Sequence, residues 1–411
     1  MLAALEQGVK GGRWFSLIDK VWKLENLRAG WERVRANRGS AGVDGQSVTR
    51  FQQHVEDELS RLADELRTAR YRPRLVRRHW QPKPGSREKR PLGIPVVRDR
   101  VVQSALRNVL EPIFDRIFAV HSYGFRPEHG CQDALRRVVA LLQAGYTWVV
   151  DADIQKCFDT IRHDRLLARV GEQVADGRIL ALLQQYLTQG VMDGLSTWTP
   201  DEGTPQGAVI SPLLANIYLN PMDHLMAGQG FEMVRYADDF VILCRTRAEA
   251  ECALATIRTW LTVEGLRLHP DKTRIVDATA PGGFDFLGYH FEQGRHWPRA
   301  KSLRKFRDTV RRLTRRANGH SLDAIIARLN PVLRGWFGYF KHSYPTTFPY
   351  LDGWLRRRLR AILCKRHGCG SWRLAGTVDV QQRWSNAFFT AHGLISLAAA
   401  HRVACQSMCH S

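Results

Sequence analysis

The chain has 411 residues, is 44% hydrophobic, and sets 61 Lys and Arg against 40 Asp and Glu, a formal net charge of +21. That much apolar material builds a core over two or three lobes and excludes a disordered protein. No apolar run approaches the ~20 residues needed to cross a bilayer and no signal-peptide pattern opens the chain, which points to a soluble cytoplasmic protein, and the positive excess fits a polyphosphate partner.

In chain order, residues 1–60 read as helical and basic. From Val102 to Phe118, Leu106, Val109, Leu110, Ile113, Phe114 and Ile117 recur on one helical face, and Cys131 to Leu142 repeats the pattern with Leu135, Val138, Val139 and Leu142. Trp148–Ile154 reads as a buried strand that ends on Asp151 and Asp153. Val234–Leu243 reads as a strand, a tight turn at Tyr236-Ala237-Asp238-Asp239 and a returning strand. A core helix over Ala250–Leu261 and a strand over Arg274–Asp277 follow, so the centre is α+β with helices on one sheet face. Leu303, Phe306, Val310 and Leu313 then fall at helical spacing, while Arg304, Lys305, Arg307, Arg311, Arg312, Arg315 and Arg316 take the rest of that surface. Between Lys301 and Arg366 only Asp308, Asp323 and Asp352 oppose a dense run of cations, with Trp336, Phe337, Tyr339, Phe340, Tyr344 and Trp354 interleaved. Cations for phosphate and flat rings for stacking or packing suit nucleic acid. The eight cysteines form no CxxC pair, as expected of reduced thiols, and Cys364, His367, Cys369, Cys405, Cys409 and His410 are poorly spaced for zinc.

Two acids at a hairpin tip are also common turn formers. A third carboxylate at the end of a separate strand favours chemistry, because hard divalent cations need oxygens gathered from several segments. Mg²⁺ is such a cation. On the first strand both Asp151 and Asp153 are open at this point.

Further motifs run through the chain: Gly42-Val43-Asp44-Gly45, Pro82-Lys83-Pro84, Arg90-Pro91-Leu92-Gly93-Ile94-Pro95, Ser122-Tyr123-Gly124-Phe125-Arg126-Pro127, Asp153 with Phe158 five residues on, and Gly203-Thr204-Pro205-Gln206-Gly207. After the Asp-Asp hairpin come His269-Pro270-Asp271-Lys272-Thr273, Phe286-Leu287-Gly288-Tyr289 and Leu329-Asn330-Pro331-Val332-Leu333-Arg334-Gly335-Trp336. In this order they resemble the reverse transcriptases of bacterial group II introns, the maturase-type proteins.

The resemblance implies a right-hand polymerase with an N-terminal extension (1–60), fingers with the start of the palm (61–146), palm (147–295), an α-helical thumb or maturase domain (296–370) and a thumb-associated tail (371–411). The tail shows no Cys-pair and His-Asn-His pattern of an endonuclease domain, so target-strand cleavage is not expected. An RNA-directed DNA polymerase with two Mg²⁺ ions follows, with Asp153 and Asp238 bridging them, Asp239 beside them and Ile154 in the same metal set. Asp153 is preferred to Asp151 because its spacing to Phe158 matches the family's aromatic ring under the incoming sugar, where a ribose 2′-hydroxyl would collide. Lys83, Arg90 and Arg126 are implied to reach the triphosphate, Gln206 to lie against the nucleotide, and Lys272 to stand on the primer–nucleotide side. The bland alternative for Arg126 is a pair with Glu128 or a turn cap. Gly207 permits a backbone approach that a Cβ would obstruct. Phe286-Leu287-Gly288 resembles the primer support, although Leu287 also suits a plain core.

The implied partners are the intron RNA, held on Arg304, Lys305, Arg311, Arg312, Arg315 and Arg316, an RNA template with a DNA primer or target DNA, and dNTPs. Neither a membrane nor a protein partner is implied. Two other readings stay open: an RNA-binding splicing cofactor with an unused polymerase site, and a domesticated reverse transcriptase in defence, repair or diversity generation.

Overall fold

A computed structural model describes residues 12–82, 89–194, 196–317, 319–368 and 376–408. The chain divides into two compact units, Met1–Ile275 and Val276–Ser411. Among the described residues no helix is long and apolar enough to cross a membrane.

The first unit opens with α1 (Leu24–Asn37) and α2 (Val55–Arg67), whose first turn carries Glu56, Asp57 and Glu58, the charge that a helix N-terminus favours. Strands β1 (Val76–Pro82) and β2 (Lys89–Ile94) form an antiparallel pair and lead into α3 (Val97–Asp115), which is buried along most of its length, the polar Asp99, Arg100, Gln103 and Ser104 included. Gly30 of α1 meets α3 so closely that a Cβ there would stand 2.8 Å from the Val101 carbonyl. Then come α4 (Cys131–Gln143), β3 (Trp148–Asp153), α5 (His163–Gln173), α6 (Gly177–Leu187), β4 (Val191–Asp193), β5 (Ser196–Trp198) and α7 (Ser211–Gly228). The hairpin β6 (Glu232–Tyr236) and β7 (Asp239–Cys244), helix α8 (Arg247–Val263) and β8 (Arg274–Asp277) complete the palm. Thr246 and Glu249 close a capping box on α8, fixing where the chain leaves β7.

Two sheets result. One has the order β2-β1-β4-β5 and the other β6-β7-β3-β8. In the second, Trp148 stands opposite Cys244 and Asp153 opposite Asp239, so the buried residues Val149, Val150, Phe240 and Ile242 fix the register that sets the acids. The strand and helix expectations for this region agree with the structure to within a few residues.

In the second unit a three-stranded sheet, order β11-β10-β9 over β9 (Phe284–Phe286), β10 (Tyr289–Glu292) and β11 (Arg295–Pro298), accompanies helices α9 (Ala300–Leu313), α10 (Leu322–Phe340) and α11 (Thr347–Arg366). Phe306 and Val310 of α9 are buried with Leu329, Leu333, Leu351, Leu355 and Leu359. The Tyr289 hydroxyl donates to the Tyr339 carbonyl at 2.8 Å, and the Tyr339 hydroxyl to the Leu287 carbonyl at 2.6 Å. These bonds tie the small sheet to α10. The compact unit therefore begins at Val276, ahead of the 295/296 boundary expected between palm and thumb. Trp384, Phe389 and Leu397, from the segment after residue 376, are buried in the same core.

Candidate active site

The hairpin between β6 and β7 turns on Ala237, whose φ of 60° is left-handed. A two-residue hairpin of the II′ kind requires such a residue at its first central position. Glycine is the usual occupant, so something must hold Ala237 there. Arg235, with 0% side-chain exposure, donates from Nη1 to the Ala237 carbonyl at 2.9 Å and to Asn216 Oδ1 at 3.0 Å. Its Nε donates to Asp223 Oδ1 at 2.7 Å, and its Nη2 donates to Ser122 Oγ at 2.6 Å and pairs with Asp223 Oδ2. Asn216 Nδ2 in turn donates to the Gly124 carbonyl at 2.7 Å, and a Cβ on Gly124 would stand 2.3 Å from the Ala237 amide nitrogen. Sequence reading missed this clamp, whose one local signal is a guanidinium inside the apolar run Met233-Val234-Arg235.

Above the clamp, the acids come together. Asp153 ends β3 opposite Asp239, and the Ile154 amide faces the Asp238 carbonyl at 3.5 Å. Burial raises the Asp238 carboxyl above its ordinary value. Its own backbone N–H opposes that rise, Asp153's charge adds to it, and the charges of Arg90 and Lys272 oppose it. Two carboxylates that repel in a partly buried site are a donor set that welcomes a cation. The Lys272 ammonium already bonds Asp153 Oδ2. Ile154 is buried, so only its main chain could serve an ion. Among the described residues no three Asp, Glu, His or Cys side chains stand close enough together to ligate one ion as they are. Asp151 instead stands opposite Val241 and accepts from Arg274 Nε at 3.1 Å, which separates it from the hairpin acids and favours Asp153.

Phe158 lies half-buried in a short 3₁₀ turn, Cys157–Asp159, against the palm core. The Thr204 amide donates to the Phe158 carbonyl at 2.6 Å, Gln206 Nε2 to Asp159 Oδ1 at 3.1 Å, and the Gly93 amide to the Gln206 carbonyl at 2.6 Å. The close approach expected at Gly207 is to the chain itself: a Cβ would stand 2.7 Å from the Gly93 carbonyl. The loop therefore joins Phe158 to β2, the strand that carries Arg90. Cys157 is buried, and burial first, then the Asp238 charge, pushes its thiol up to about 12, so it is no nucleophile.

Arg126 departs from expectation. Its Nε donates to Asp115 Oδ1 at 2.6 Å, Nη1 to the carbonyls of Ala119 and Ser122 at 2.8 and 2.9 Å, and Nη2 to the Asp115 carbonyl at 3.0 Å. With 7% exposure, this guanidinium shapes the loop after α3 and offers no free fork to a triphosphate. The partner is Asp115 rather than Glu128, because the loop folds back on the helix end. Lys83 lies outside the described residues. In the second unit, Arg304, Lys305, Arg311, Arg312, Arg315 and Arg316 are all exposed, and Arg311 pairs with Asp308 at 2.7 Å.

The family model described as "Reverse transcriptase (RNA-dependent DNA polymerase)" matches residues 81–291. The chain belongs to the reverse transcriptase family. A second model, "Group II intron, maturase-specific domain", matches residues 303–376, so the polymerase carries the maturase region of group II intron proteins on its second unit. Protein YkfC of Escherichia coli (strain K12) is 36% identical over 329 residues, covering 70% of this chain and 84% of that protein. The group II intron-encoded protein LtrA of Lactococcus lactis subsp. cremoris is 33% identical over 195 residues, 47% of this chain and 32% of that protein. The putative COX1/OXI3 intron 1 protein of Saccharomyces cerevisiae is 35% identical over 210 residues, 51% of this chain and 25% of that protein. Against both intron proteins this chain thus spans a third of their length or less. The α+β architecture is that of right-hand polymerases, RNA and other nucleic acids are the substrates of such domains, and reverse transcriptases generally use divalent metal ions.

Proposed function

We propose that this protein copies an RNA template into DNA from a primer 3′ end and binds its group II intron RNA as a maturase that assists splicing and mobility. The observation that carries the reading is the register of the palm sheet, which sets Asp153 opposite Asp239 with Asp238 at the turn. Asp153 and Asp238 would hold two Mg²⁺ ions, with Asp239 and the main chain of Ile154 as further oxygens, and ions bound there would supply charge neutralisation on the triphosphate and activation of the primer hydroxyl.

The chain's own residues do the rest. Phe158 fills the space a ribose 2′-hydroxyl would need, which selects dNTPs. Gln206, anchored through Asp159 and Gly93, lies against the incoming nucleotide. Arg90 binds the triphosphate, and Lys83, outside the described residues, is assigned to it by the family resemblance alone. Lys272, which neutralises Asp153 in the protein alone, is placed to pass its charge to that triphosphate. Arg304, Lys305, Arg311, Arg312, Arg315 and Arg316 hold intron RNA by its backbone. The work is cytoplasmic. Primer extension on an RNA template with Mg²⁺ and dNTPs tests this: incorporation is expected, and folded protein that binds RNA yet adds no dNTP leaves only the splicing-cofactor reading.

A further inference from the structure

The fingers sheet carries an exposed surface that none of these roles uses. Val76 stands opposite Val191, and Val191 opposite Trp198, so the pleat puts Val76, Arg78 and Trp80 of β1 on one face with Asp193 of β4 and Trp198 of β5. Lys89, opposite Pro82, shares that face and is exposed. One end of the face is covered: Val76 and Val191 are buried, and Pro205 and Gln206 close over Gly93. At the other end two indoles stand in solvent, Trp80 at 43% and Trp198 at 39% exposure.

These rings are held in place. The Arg78 guanidinium lies 5.4 Å from the Trp80 ring centroid and 4.6 Å from that of Trp198, and Trp80 Nε1 donates to Asp193 Oδ2 at 3.0 Å. Neighbouring solvent-facing tryptophans cost solvation and mark a binding surface, and fixing them beforehand lowers the entropy lost on binding. At the covered end, Gln206 accepts from the Gly93 amide through its carbonyl and donates from Nε2 to Asp159 Oδ1 at 3.1 Å, which joins that end of the face to the turn that carries Phe158.

We propose that Trp80, Arg78 and Trp198 form a stacking platform for unpaired bases of the template strand as it enters the site. Every base has a π face, so stacking tolerates any sequence, as template copying requires. Arg78 and Lys89 supply charge for the backbone. A duplex keeps its base faces to itself, which makes the ligand single-stranded. A strand crossing the face runs from the open rings toward Gln206 and Phe158, which favours template over intron RNA. The proposal rests on the polymerase reading above.

Equilibrium binding of the full chain to one primer–template duplex, either blunt or with a short single-stranded template overhang, tests it. The overhang is expected to tighten binding to the wild type, and Trp80→Ala and Trp198→Ala are each expected to remove about tenfold of that gain while leaving blunt binding unchanged. Trp80→Phe and Trp198→Phe should keep most of it, since the ring survives. An overhang that gives the wild type nothing, an equal loss on blunt duplex, or a loss confined to structured intron RNA overturns the proposal. Primer extension by the wild type reports on the polymerase separately: overhang-dependent binding without extension removes that reading and leaves the single-strand platform standing.

Discussion

In the palm, strand register sets Asp153 opposite Asp239, and the buried Arg235 holds by hydrogen bonds the turn that carries Asp238. On α9, six cations of that helix and the turn after it stand in solvent, and only the opposite side, Phe306 and Val310, is packed. Under the proposed function both regions address a polyanion. Phosphoryl transfer gains from charge held at one point, so the palm spends burial and hydrogen bonds on geometry. Backbone binding gains from charge in number, so α9 needs only a stable helix beneath its arginines.

The sharpest way to break that contrast is Asp238→Ala. Primer extension should fall by more than about a thousandfold with RNA binding retained. Retained extension would move the metal site elsewhere. Arg235→Ala should come next, because it strands Asp223 as an unpaired buried charge, at a cost of about 3–5 kcal/mol in denaturant unfolding. Replacing both partners by apolar residues, Arg235→Met with Asp223→Leu, should recover much of that stability but not extension, since the Ala237 carbonyl still lacks its anchor. If extension returns with stability, the clamp matters for folding alone.

A third measure concerns Asp99, buried at the start of α3 and bonded to the Tyr71 hydroxyl at 2.6 Å. Burial raises its carboxyl from 3.8 to about 6, against the Tyr71 and Arg74 hydrogen bonds. A folded-state value above the unfolded one means that its contribution to stability is complete below the unfolded value and is lost as pH rises through the folded value. That change amounts to about 3 kcal/mol across this window. Asp99→Asn should flatten that part of the stability–pH curve, read as the wild-type-minus-variant difference; parallel curves would refute it. On α9, Arg311, Arg312, Arg315 and Arg316 changed together to Gln should lower the salt slope of RNA binding by up to about 3 and leave unfolding unaltered. An unchanged slope would relocate the RNA surface. Smallest of all, Phe158→Ala should relax dNTP-over-rNTP selectivity about tenfold in competition assays, and an unaltered ratio would deny it the gate.

The same contrast explains what could be read from the sequence. The Asp hairpin and the α9 stripe are local patterns, of period two and of helical period, and both stand in the structure where the residues pointed. The Arg235 clamp gathers Ser122 from the loop before α4 and Asn216 and Asp223 from α7, two segments remote from the hairpin, which no local period encodes. The resemblance gave Arg126 a ligand role, and its partner Asp115, eleven residues upstream on α3, is one that no local pattern announces. Gly207 was read as permitting a close backbone approach, and the backbone that approaches it is Gly93. The small sheet over residues 284–298 looks like palm in sequence order, whereas its bonds to Tyr339, Ser302 and Tyr344 tie it to the second unit.

The ion pair between Arg235 and Asp223 has 0% and 3% side-chain exposure, out of reach of dissolved electrolyte. Brine strong enough to strip RNA from the arginines of α9 should therefore wash the enzyme clean without loosening its catalytic turn, and dilution back to low ionic strength should return it ready to work.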